Sequence, residues 1–175
     1  MAQPDGLIAP GSTSWNKLIA ASLKPPASTA QWTGDSAQWS QDKKLQSLKT
    51  SLRPKVESLI TALQARNYQP KIVFAWRSIA VQLTLYKQGK SKVKFSFHNA
   101  QLRDGTPNAY AADIIDARYA WSPQAQTSGF WDALGVEAKA LGLYWGGDWA
   151  SFRDWAHVQS VPNSELAAVK KESGL

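Results

Sequence analysis

The sequence contains no cysteine and two histidines, and these two scarcities restrict its chemistry. Without cysteine, the chain can form neither a disulfide framework nor a thiolate metal site. A catalytic zinc ion commonly has three protein ligands and a water molecule, and two histidines with one carboxylate are a frequent set. Any zinc site in this chain must therefore be built from His98, His157 and carboxylates.

Long apolar runs are also missing. No stretch approaches the roughly 18 apolar residues that a membrane-spanning helix requires. The N-terminus, from Met1 to Gly6, has no basic region followed by an apolar one, so we expect no classical signal peptide in this chain. A phage-encoded protein, a protein delivered by another route and a protein whose leader has been removed all fit this expectation.

What the sequence does contain is typical of one globular domain. It has 175 residues, of which 43% are hydrophobic and 19% charged, with nine tryptophans. The net charge of +7 favours an anionic partner such as nucleic acid, an acidic membrane surface or an anionic cell-wall polymer. The basic residues are scattered, with a loose group from Lys87 to Lys94, and form no arginine-rich arm.

The chain divides into two regions by composition. Residues 1–40 are rich in Pro, Ser, Thr, Ala and Gly and predict an irregular N-terminal arm, with a short helix around Trp15 to Ser22. Residues 41–175 form the predicted catalytic domain. From Ser40 to Arg66 the apolar residues follow helical spacing, and Pro54 must kink or split that helix.

The remaining elements alternate irregularly between helix and strand. We therefore expect an α+β domain with a small, mainly antiparallel sheet flanked by helices. The predicted elements are a strand at 71–76, a helix at 78–87 with Ser78 as N-cap, a buried strand at 109–116, a helix at 128–141, short strands at 143–145 and 155–160, and a weakly helical tail.

Two aspartates are candidates to complete a site with the histidines. Asp113 lies in an apolar strand, where a carboxylate is costly to bury unless it is paired or binds a cation. The alternative is a surface aspartate on an edge strand. Asp154, three residues before His157, is placed to act as a general base beside the metal, although it could instead pair with Arg153.

Taken together, these runs resemble a known family. The matching segments are Ser96-Phe97-His98, Ala111-Ala112-Asp113-Ile114, Trp145-Gly146-Gly147-Asp148-Trp149 and Asp154-Trp155-Ala156-His157, preceded by Arg77-Ser78, Gln82, Leu85-Tyr86 and Gln88-Gly89. Over about residues 55–160, this arrangement resembles the zinc D-Ala-D-Ala carboxypeptidase and L-alanoyl-D-glutamate endopeptidase family, which includes phage endolysins.

The resemblance implies a single domain of the Hedgehog/DD-peptidase-like α+β fold holding one zinc ion. It implies that His98, Asp113 and His157 bind the zinc and that Asp154 is the general base. Arg77 would stabilise the oxyanion or bind a substrate carboxylate. The residues implied to contact substrate are Gln82, Ser96, Asp148 and Trp149.

Two departures from the family pattern matter. Asp113 follows His98 by fifteen residues, further than in the shorter members, and the inserted segment makes Asp104 a competing ligand. We prefer Asp113, because it lies in the predicted strand while Asp104-Gly105 is an ordinary turn signal. Gln159 stands where the family often has Glu, which keeps hydrogen bonding but removes a charge beside His157.

The function implied is a zinc metallopeptidase that hydrolyses peptidoglycan stem peptides, with the L-alanoyl-D-glutamate endopeptidase favoured by the Trp-Gly-Gly-Asp-Trp run. The alternatives are a D,D-carboxypeptidase, a catalytically inactive peptidoglycan-binding module and a basic nucleic-acid protein. We expect a monomer that acts on peptidoglycan in the periplasm or cell wall, with no nucleic-acid partner. A lysis enzyme, a wall-remodelling enzyme and a delivered toxin would share this site.

Overall fold

A computed structural model describes residues 32–33 and 35–175. The predicted helix between Trp15 and Ser22 lies outside the described residues, as does most of the predicted arm. The division into an arm of residues 1–40 and a domain of residues 41–175 stays a prediction.

Six α-helices and four β-strands occur in the part of the chain that the structure describes. The helices are α1 Gln41–Gln46, α2 Arg53–Ala65, α3 Ile79–Lys87, α4 Pro123–Thr127, α5 Phe130–Ala140 and α6 Leu166–Glu172. The strands are β1 Pro70–Phe74, β2 Ala111–Asp116, β3 Tyr144–Trp145 and β4 His157–Gln159. Short 3-10 helices span Ser36–Gln38, Phe97–Asn99, Gly146–Asp148 and Asn163–Glu165.

The strands form one antiparallel sheet in the order β1-β2-β4-β3. Strand β2 is buried along its whole length, which explains its continuous apolar composition around Asp113. The predicted α+β architecture with a small antiparallel sheet is confirmed.

The long helical pattern from Ser40 to Arg66 is split rather than kinked. Helix α1 ends at Gln46, and α2 begins at Arg53 with Pro54 in its first turn, where a missing N–H costs nothing. Ser78 caps α3 as predicted, since its hydroxyl accepts a hydrogen bond from the Val81 N–H at 3.3 Å. Helix α4 was not predicted, because it has one short turn and little apolar periodicity.

The main core lies between the sheet and helices α2 and α5. Its apolar side chains recur at helical spacing on each helix and on one face of each strand. Fully buried members are Val56, Leu59 and Leu63 of α2, Phe130, Leu134 and Ala138 of α5, and Ile72, Ile114 and Val158 of the sheet. Each large side chain buried here stabilises the fold by about 1.5–3 kcal/mol.

The exposed edge of β1 is covered by the segment that precedes it. The Gln41 side chain accepts a hydrogen bond from the Ile72 N–H at 2.8 Å and donates one to the Ile72 carbonyl at 3.0 Å. Trp39 stacks on Trp76 at 5.8 Å between ring centroids. These contacts satisfy the edge strand and fix the chain where it leads into Arg77.

In the described part of the chain, no helix combines the length and the apolar character needed to cross a membrane.

Candidate metal centre and active site

The sheet register places Asp113 beside His157. The two residues are direct partners in the antiparallel ladder of β2 and β4, so their side chains leave the same face of the sheet. On the other side of β2, an irregularity between Ile72 and Phe74 sets Phe74 opposite Asp113. A bulge of this kind redirects side chains at the end of a strand, here next to the site.

His98 reaches the same place from the 3-10 helix that follows the α3 loop. Its carbonyl accepts a hydrogen bond from the Arg77 N–H at 2.9 Å. The Asn99 side chain accepts from the Ser96 N–H at 2.7 Å and donates to the Arg77 carbonyl at 2.7 Å. This pairing with the segment that follows β1 fixes His98 although it lies on no regular strand.

Three ligand atoms converge at this point. His98 Nε2 lies 3.1 Å from Asp113 Oδ1, His157 Nδ1 lies 3.0 Å from the same oxygen, and the two nitrogens are 3.2 Å apart. All three side chains are buried. The structure thus brings together the three residues predicted as zinc ligands, 59 positions apart at the extremes.

The outer nitrogen of each imidazole has a partner that fixes the proton. His98 Nδ1 donates to the Ala75 carbonyl at 2.7 Å. His157 Nε2 donates to Gln159 Oε1 at 2.8 Å. The Gln159 amide is itself oriented, because its Nε2 donates to the Val161 carbonyl and to Asn163 Oδ1, both at 2.8 Å. Each neutral ring therefore directs a lone pair at the centre.

The centre consequently contains three hydrogen-bond acceptors with no hydrogen between them when both histidines are neutral. Acceptors at 3.0–3.2 Å repel one another unless a proton or a cation lies between them. Two imidazole nitrogens and one carboxylate oxygen match the donor set of a catalytic zinc ion with one position left open. The residues present therefore fit a single zinc ion.

The competing ligand does not reach the centre. Asp104 is exposed in a turn, where its Oδ1 accepts a hydrogen bond from the Thr106 N–H at 2.9 Å. Gly105, at φ +86°, closes that turn. Asp104 therefore has the ordinary turn role that its Asp-Gly sequence indicates.

Burial and mutual contact set the charges of the three ligand residues. Burial lowers the pKa of His98, although Asp113 opposes this. Burial also acts against the charged ring of His157, but the hydrogen bond that the protonated ring donates to Asp113, with the nearby negative charge, outweighs it and raises the pKa of His157. Asp113 pays a desolvation cost too, yet the adjacent His98 and His157 hold its pKa well below the usual range. The carboxylate stays ionised and available to a cation.

Asp154 lines the cleft beside these ligands and is partly buried. Burial, and then the neighbouring charge of Asp113, raise its pKa to about 6. The segment is held close by Gly146, whose carbonyl accepts from the Asp154 N–H at 3.1 Å. A Cβ at Gly146 would collide with the Asp154 carbonyl, which explains a glycine here.

The structure places Arg77 against a ligand rather than free in the cleft. Its NH2 donates to Asp113 Oδ2 at 3.1 Å and its NH1 to Gln82 Oε1 at 2.9 Å. Its Nε is buried without a hydrogen-bond partner among the described residues. The guanidinium also packs over Phe74, 4.4 Å from the ring centroid. The Asp113 carboxylate is thus oriented by Arg77 through one oxygen while the other faces the histidines.

Two of the predicted substrate contacts are arranged differently from one another. Gln82 is fully buried beneath the cleft and not in its wall, and its amide donates to Ser91 Oγ and to the Val93 carbonyl. Ser96 does line the cleft, and its hydroxyl donates to Gln82 Oε1 at 3.2 Å. The position of Gln82 therefore argues for a supporting role in place of the predicted substrate contact.

The two predicted substrate contacts in the Trp-Gly-Gly-Asp-Trp run also lie in different places. Trp149 lines the cleft, with its ring centroid 5.2 Å from that of His157. Asp148 lies outside the cleft wall and pairs with Lys139 at 3.1 Å on the exposed surface. The structure does not bring Asp148 to the site, and a surface ion pair accounts for it.

The metal centre lies in a cleft of about 980 Å³. Several residues in its walls were not singled out from the sequence; they are Phe74, Lys90, Lys92, Trp121, Phe152 and Asn163. For the lysines the basic group between Lys87 and Lys94 was a signal, but nothing in the sequence showed that it faces the site. The apolar walls with a few polar groups are typical of a binding cleft for a peptide.

Three buried side chains that could hold one metal ion, with a flanking carboxylate, are typical of a metal-dependent hydrolase. Residues 90–160 match the sequence model of a family described as D-alanyl-D-alanine carboxypeptidase. The peptidoglycan L-alanyl-D-glutamate endopeptidase CwlK of Bacillus subtilis (strain 168) is 32% identical over 131 residues, which cover 65% of this chain and 76% of CwlK. The crystal structure of the Serratia marcescens L-Ala D-Glu endopeptidase ChiX aligns with a TM-score of 0.49 and 20% identity over 68% of this chain and 84% of that one.

On the similarity to CwlK, the chain belongs to this family of zinc peptidases. The predicted family is therefore confirmed, and with it the predicted zinc cofactor.

Proposed function

We propose that this protein is a zinc-dependent endopeptidase that cuts the stem peptide of bacterial peptidoglycan between L-alanine and D-glutamate. The observation that carries the proposal is the convergence of three lone pairs from His98, Asp113 and His157. The relative CwlK is named as an L-alanyl-D-glutamate endopeptidase, which supports this choice of scissile bond.

A zinc ion held by these residues supplies a Lewis acid for the scissile carbonyl and lowers the pKa of the attacking water. The chain's contribution is to hold two neutral imidazoles and one carboxylate rigidly. Ala75 and Gln159 fix the two rings, and Arg77 fixes the carboxylate. Such fixed partners typically change metal affinity 10- to 100-fold.

Asp154 is the proposed general base. With a pKa of about 6, its carboxylate is largely ionised at neutral pH and can take a proton from the attacking water. The protonated Asp154 then returns that proton to the departing amine. A carboxylate with an ordinary pKa would be a weaker base and would take the proton from the attacking water less readily.

Arg77 has two proposed contributions. Its first is to orient Asp113, through the 3.1 Å hydrogen bond. Its second is electrostatic, because it lines the cleft and places a permanent positive charge beside the reacting carbonyl. Trp149 and Ser96, which also line the cleft, are proposed to contact the peptide, with Ser96 held through Gln82.

A second candidate activity is removal of a terminal D-alanine, because the matching family is described as D-alanyl-D-alanine carboxypeptidase. Digesting purified peptidoglycan with the zinc-loaded protein and sequencing the products by mass spectrometry separates the two. New N-terminal D-glutamate indicates the endopeptidase, and release of free D-alanine indicates the carboxypeptidase. If neither product forms and the peptidoglycan stays intact, the proposal is overturned, and a peptidoglycan-binding module without catalysis is the alternative.

The setting follows from the substrate. We propose that the protein acts as a monomer in the periplasm or cell wall, and that the +7 charge favours association with anionic wall polymers over nucleic acid. Gel filtration tests the first point. DNA binding that rises at low salt and does not depend on zinc would contradict the second.

A further inference from the structure

We propose that Lys90, Lys92 and Arg153 form a carboxylate-binding subsite at the mouth of the cleft. This subsite selects peptides that carry a free carboxylate beside the bond to be cut. The inference rests on the proposed function, because it names a feature of the substrate of that same site.

The charges of the cleft point to an anionic ligand. Its walls contain four Lys and Arg side chains and two carboxylates, Asp113 and Asp154. Asp113 is occupied by Arg77 and the two histidines. The other three cations, Lys90, Lys92 and Arg153, are exposed. None of them takes part in an ion pair among the described residues. Unpaired cations at a cleft mouth raise the local concentration of anions.

Aromatic faces hold two of these cations in place. Lys92 Nζ lies 5.4 Å from the ring centroid of Phe152, and the Arg153 guanidinium lies 5.6 Å from that of Trp155. The first contact joins two separate loops that line the cleft, 88–95 and 149–155. A cation held over a ring keeps its N–H donors available to a ligand carboxylate.

The lysine loop is anchored to the metal centre. The buried Gln82 amide donates to Ser91 Oγ at 2.8 Å and to the Val93 carbonyl at 2.7 Å, on either side of Lys92. The same amide accepts from Arg77, which holds Asp113. A fixed loop gives the lysines a defined position relative to the reacting bond, as selectivity requires.

The substrate chemistry supplies a matching group. Glutamate has two carboxyl groups, and one of them continues a peptide chain. The other remains free, so an alanyl-glutamate bond always has a carboxylate a few bonds away unless that group is amidated. A terminal D-alanine is a second source of the same chemistry, and the experiment must separate the two.

The test uses three synthetic peptides with the zinc-loaded protein. Two contain L-alanyl-D-glutamate and differ in a free carboxylate or a carboxamide on the glutamate, and the third ends in D-Ala-D-Ala. The variant is Lys90→Gln, Lys92→Gln and Arg153→Gln together. The control, Lys71→Gln, Lys87→Gln and Lys171→Gln, removes the same charge from exposed positions outside the cleft.

We expect the wild-type protein to cleave the free-acid peptide with a kcat/KM about tenfold above that for the carboxamide. The cleft variant should lose this preference, with the carboxamide changed less than about twofold, while the control keeps it. Preference for the D-Ala-D-Ala peptide would assign the subsite to a terminal carboxylate. An unchanged acid-to-amide ratio in the cleft variant overturns the inference.

Binding measurements separate this inference from the proposed function. Calorimetry on zinc-loaded Asp154→Ala gives the affinity for each peptide without turnover. Cleavage without any acid preference would leave the proposed function intact and overturn the subsite. Acid-selective binding that depends on the three cations, without cleavage by the wild-type protein, would support the subsite and overturn the proposed function. Equal affinity for acid and amide overturns the subsite in either case.

Discussion

Nε2 of His98 and Nδ1 of His157 face each other at 3.2 Å, and when both rings are neutral the hydrogen bonds on their far sides leave both nitrogens without a proton. Asp113 Oδ1 completes the group at 3.1 and 3.0 Å. The polypeptide thus holds three acceptors together at the cost of mutual repulsion. A cation removes that repulsion, so metal binding should also stabilise the fold.

The first prediction concerns the third ligand. Asp113→Ala should reduce bound zinc from about one ion per chain to nearly none, because it removes the only carboxylate that touches both histidines in the described part of the chain. Asp104→Ala is the matched control and should keep its zinc. Elemental analysis after gel filtration measures both, and zinc loss in Asp104→Ala would reverse the assignment.

The second prediction concerns the two imidazole tautomers. At a pH above the raised pKa of His157, nitrogen-15 NMR of the metal-free protein should show His98 protonated at Nδ1 and His157 at Nε2. With two histidines in the chain the signals are readily assigned. Gln159→Leu should mix the tautomers of His157 and weaken zinc binding about 10- to 100-fold in a chelator competition.

One control for this prediction changes the same residue, and the other changes a glutamine away from the site. Gln159→Glu retains the acceptor and should bind zinc at least as tightly as the wild-type protein. Gln126→Leu, at an exposed position of α4, should change nothing. An unaltered tautomer ratio in Gln159→Leu would remove Gln159 from the metal centre.

The third prediction concerns the base. Asp154→Ala should lower kcat by at least about 100-fold yet retain zinc, since the carboxylate transfers protons and is not one of the converging ligands. For the wild-type protein, kcat/KM should fall as the pH drops through the pKa of Asp154, because only the ionised form accepts a proton. A bound cation favours that form, so the acid limb should lie at or below pH 6.

The fourth prediction concerns Arg77. Lysine retains the positive charge but cannot reach Asp113 and Gln82 together, so Arg77→Lys should weaken zinc binding about tenfold and lower kcat. A purely electrostatic role would leave zinc affinity unchanged. Arg66→Lys, at an exposed ion pair with Glu137, is the matched control.

The fifth prediction concerns acid stability away from the site. Asp116 is fully buried, and hydrogen bonds from Arg118 outweigh burial and lower its pKa from 3.8. Its contribution to the free energy of unfolding is therefore present at neutral pH and lost as the pH falls below about 4. Asp116→Asn should cost about 1.5–3 kcal/mol at pH 7 in urea unfolding, with the difference shrinking in acid.

Chain-local signals in the sequence were sufficient for much of the fold. The apolar spacing in α2 and α5, the Ser78 cap and the apolar run of β2 all reflect preferences that act within a few residues. The sequence left open whether the first long helical pattern would kink or split, and it did not indicate α4. The segment between α1 and α2 contacts a distant part of the chain, since Leu48 pairs with Ala109.

For the site, the sequence by itself determined which residues were candidates for metal ligands and for the general base. Two histidines, no cysteine and the flanking motifs restricted the metal ligands to a few residues and made Asp154 the candidate base. It favoured Asp113, which lies in a predicted strand, but kept Asp104 as a competing ligand. The register of β2 against β4 supports Asp113 by setting it opposite His157.

Only the tertiary structure decided which polar side chains face the cleft and which support it. Gln82, Asp148 and Trp149 belong to equally good motifs, yet one lies beneath the cleft, one on the outer surface and one in the wall. Likewise, the resemblance implied that Arg77 stabilises the oxyanion or binds a substrate carboxylate, whereas its side chain is directed by hydrogen bonds to Asp113 and Gln82. Side-chain direction depends on packing between segments far apart in the chain, and no local pattern encodes it.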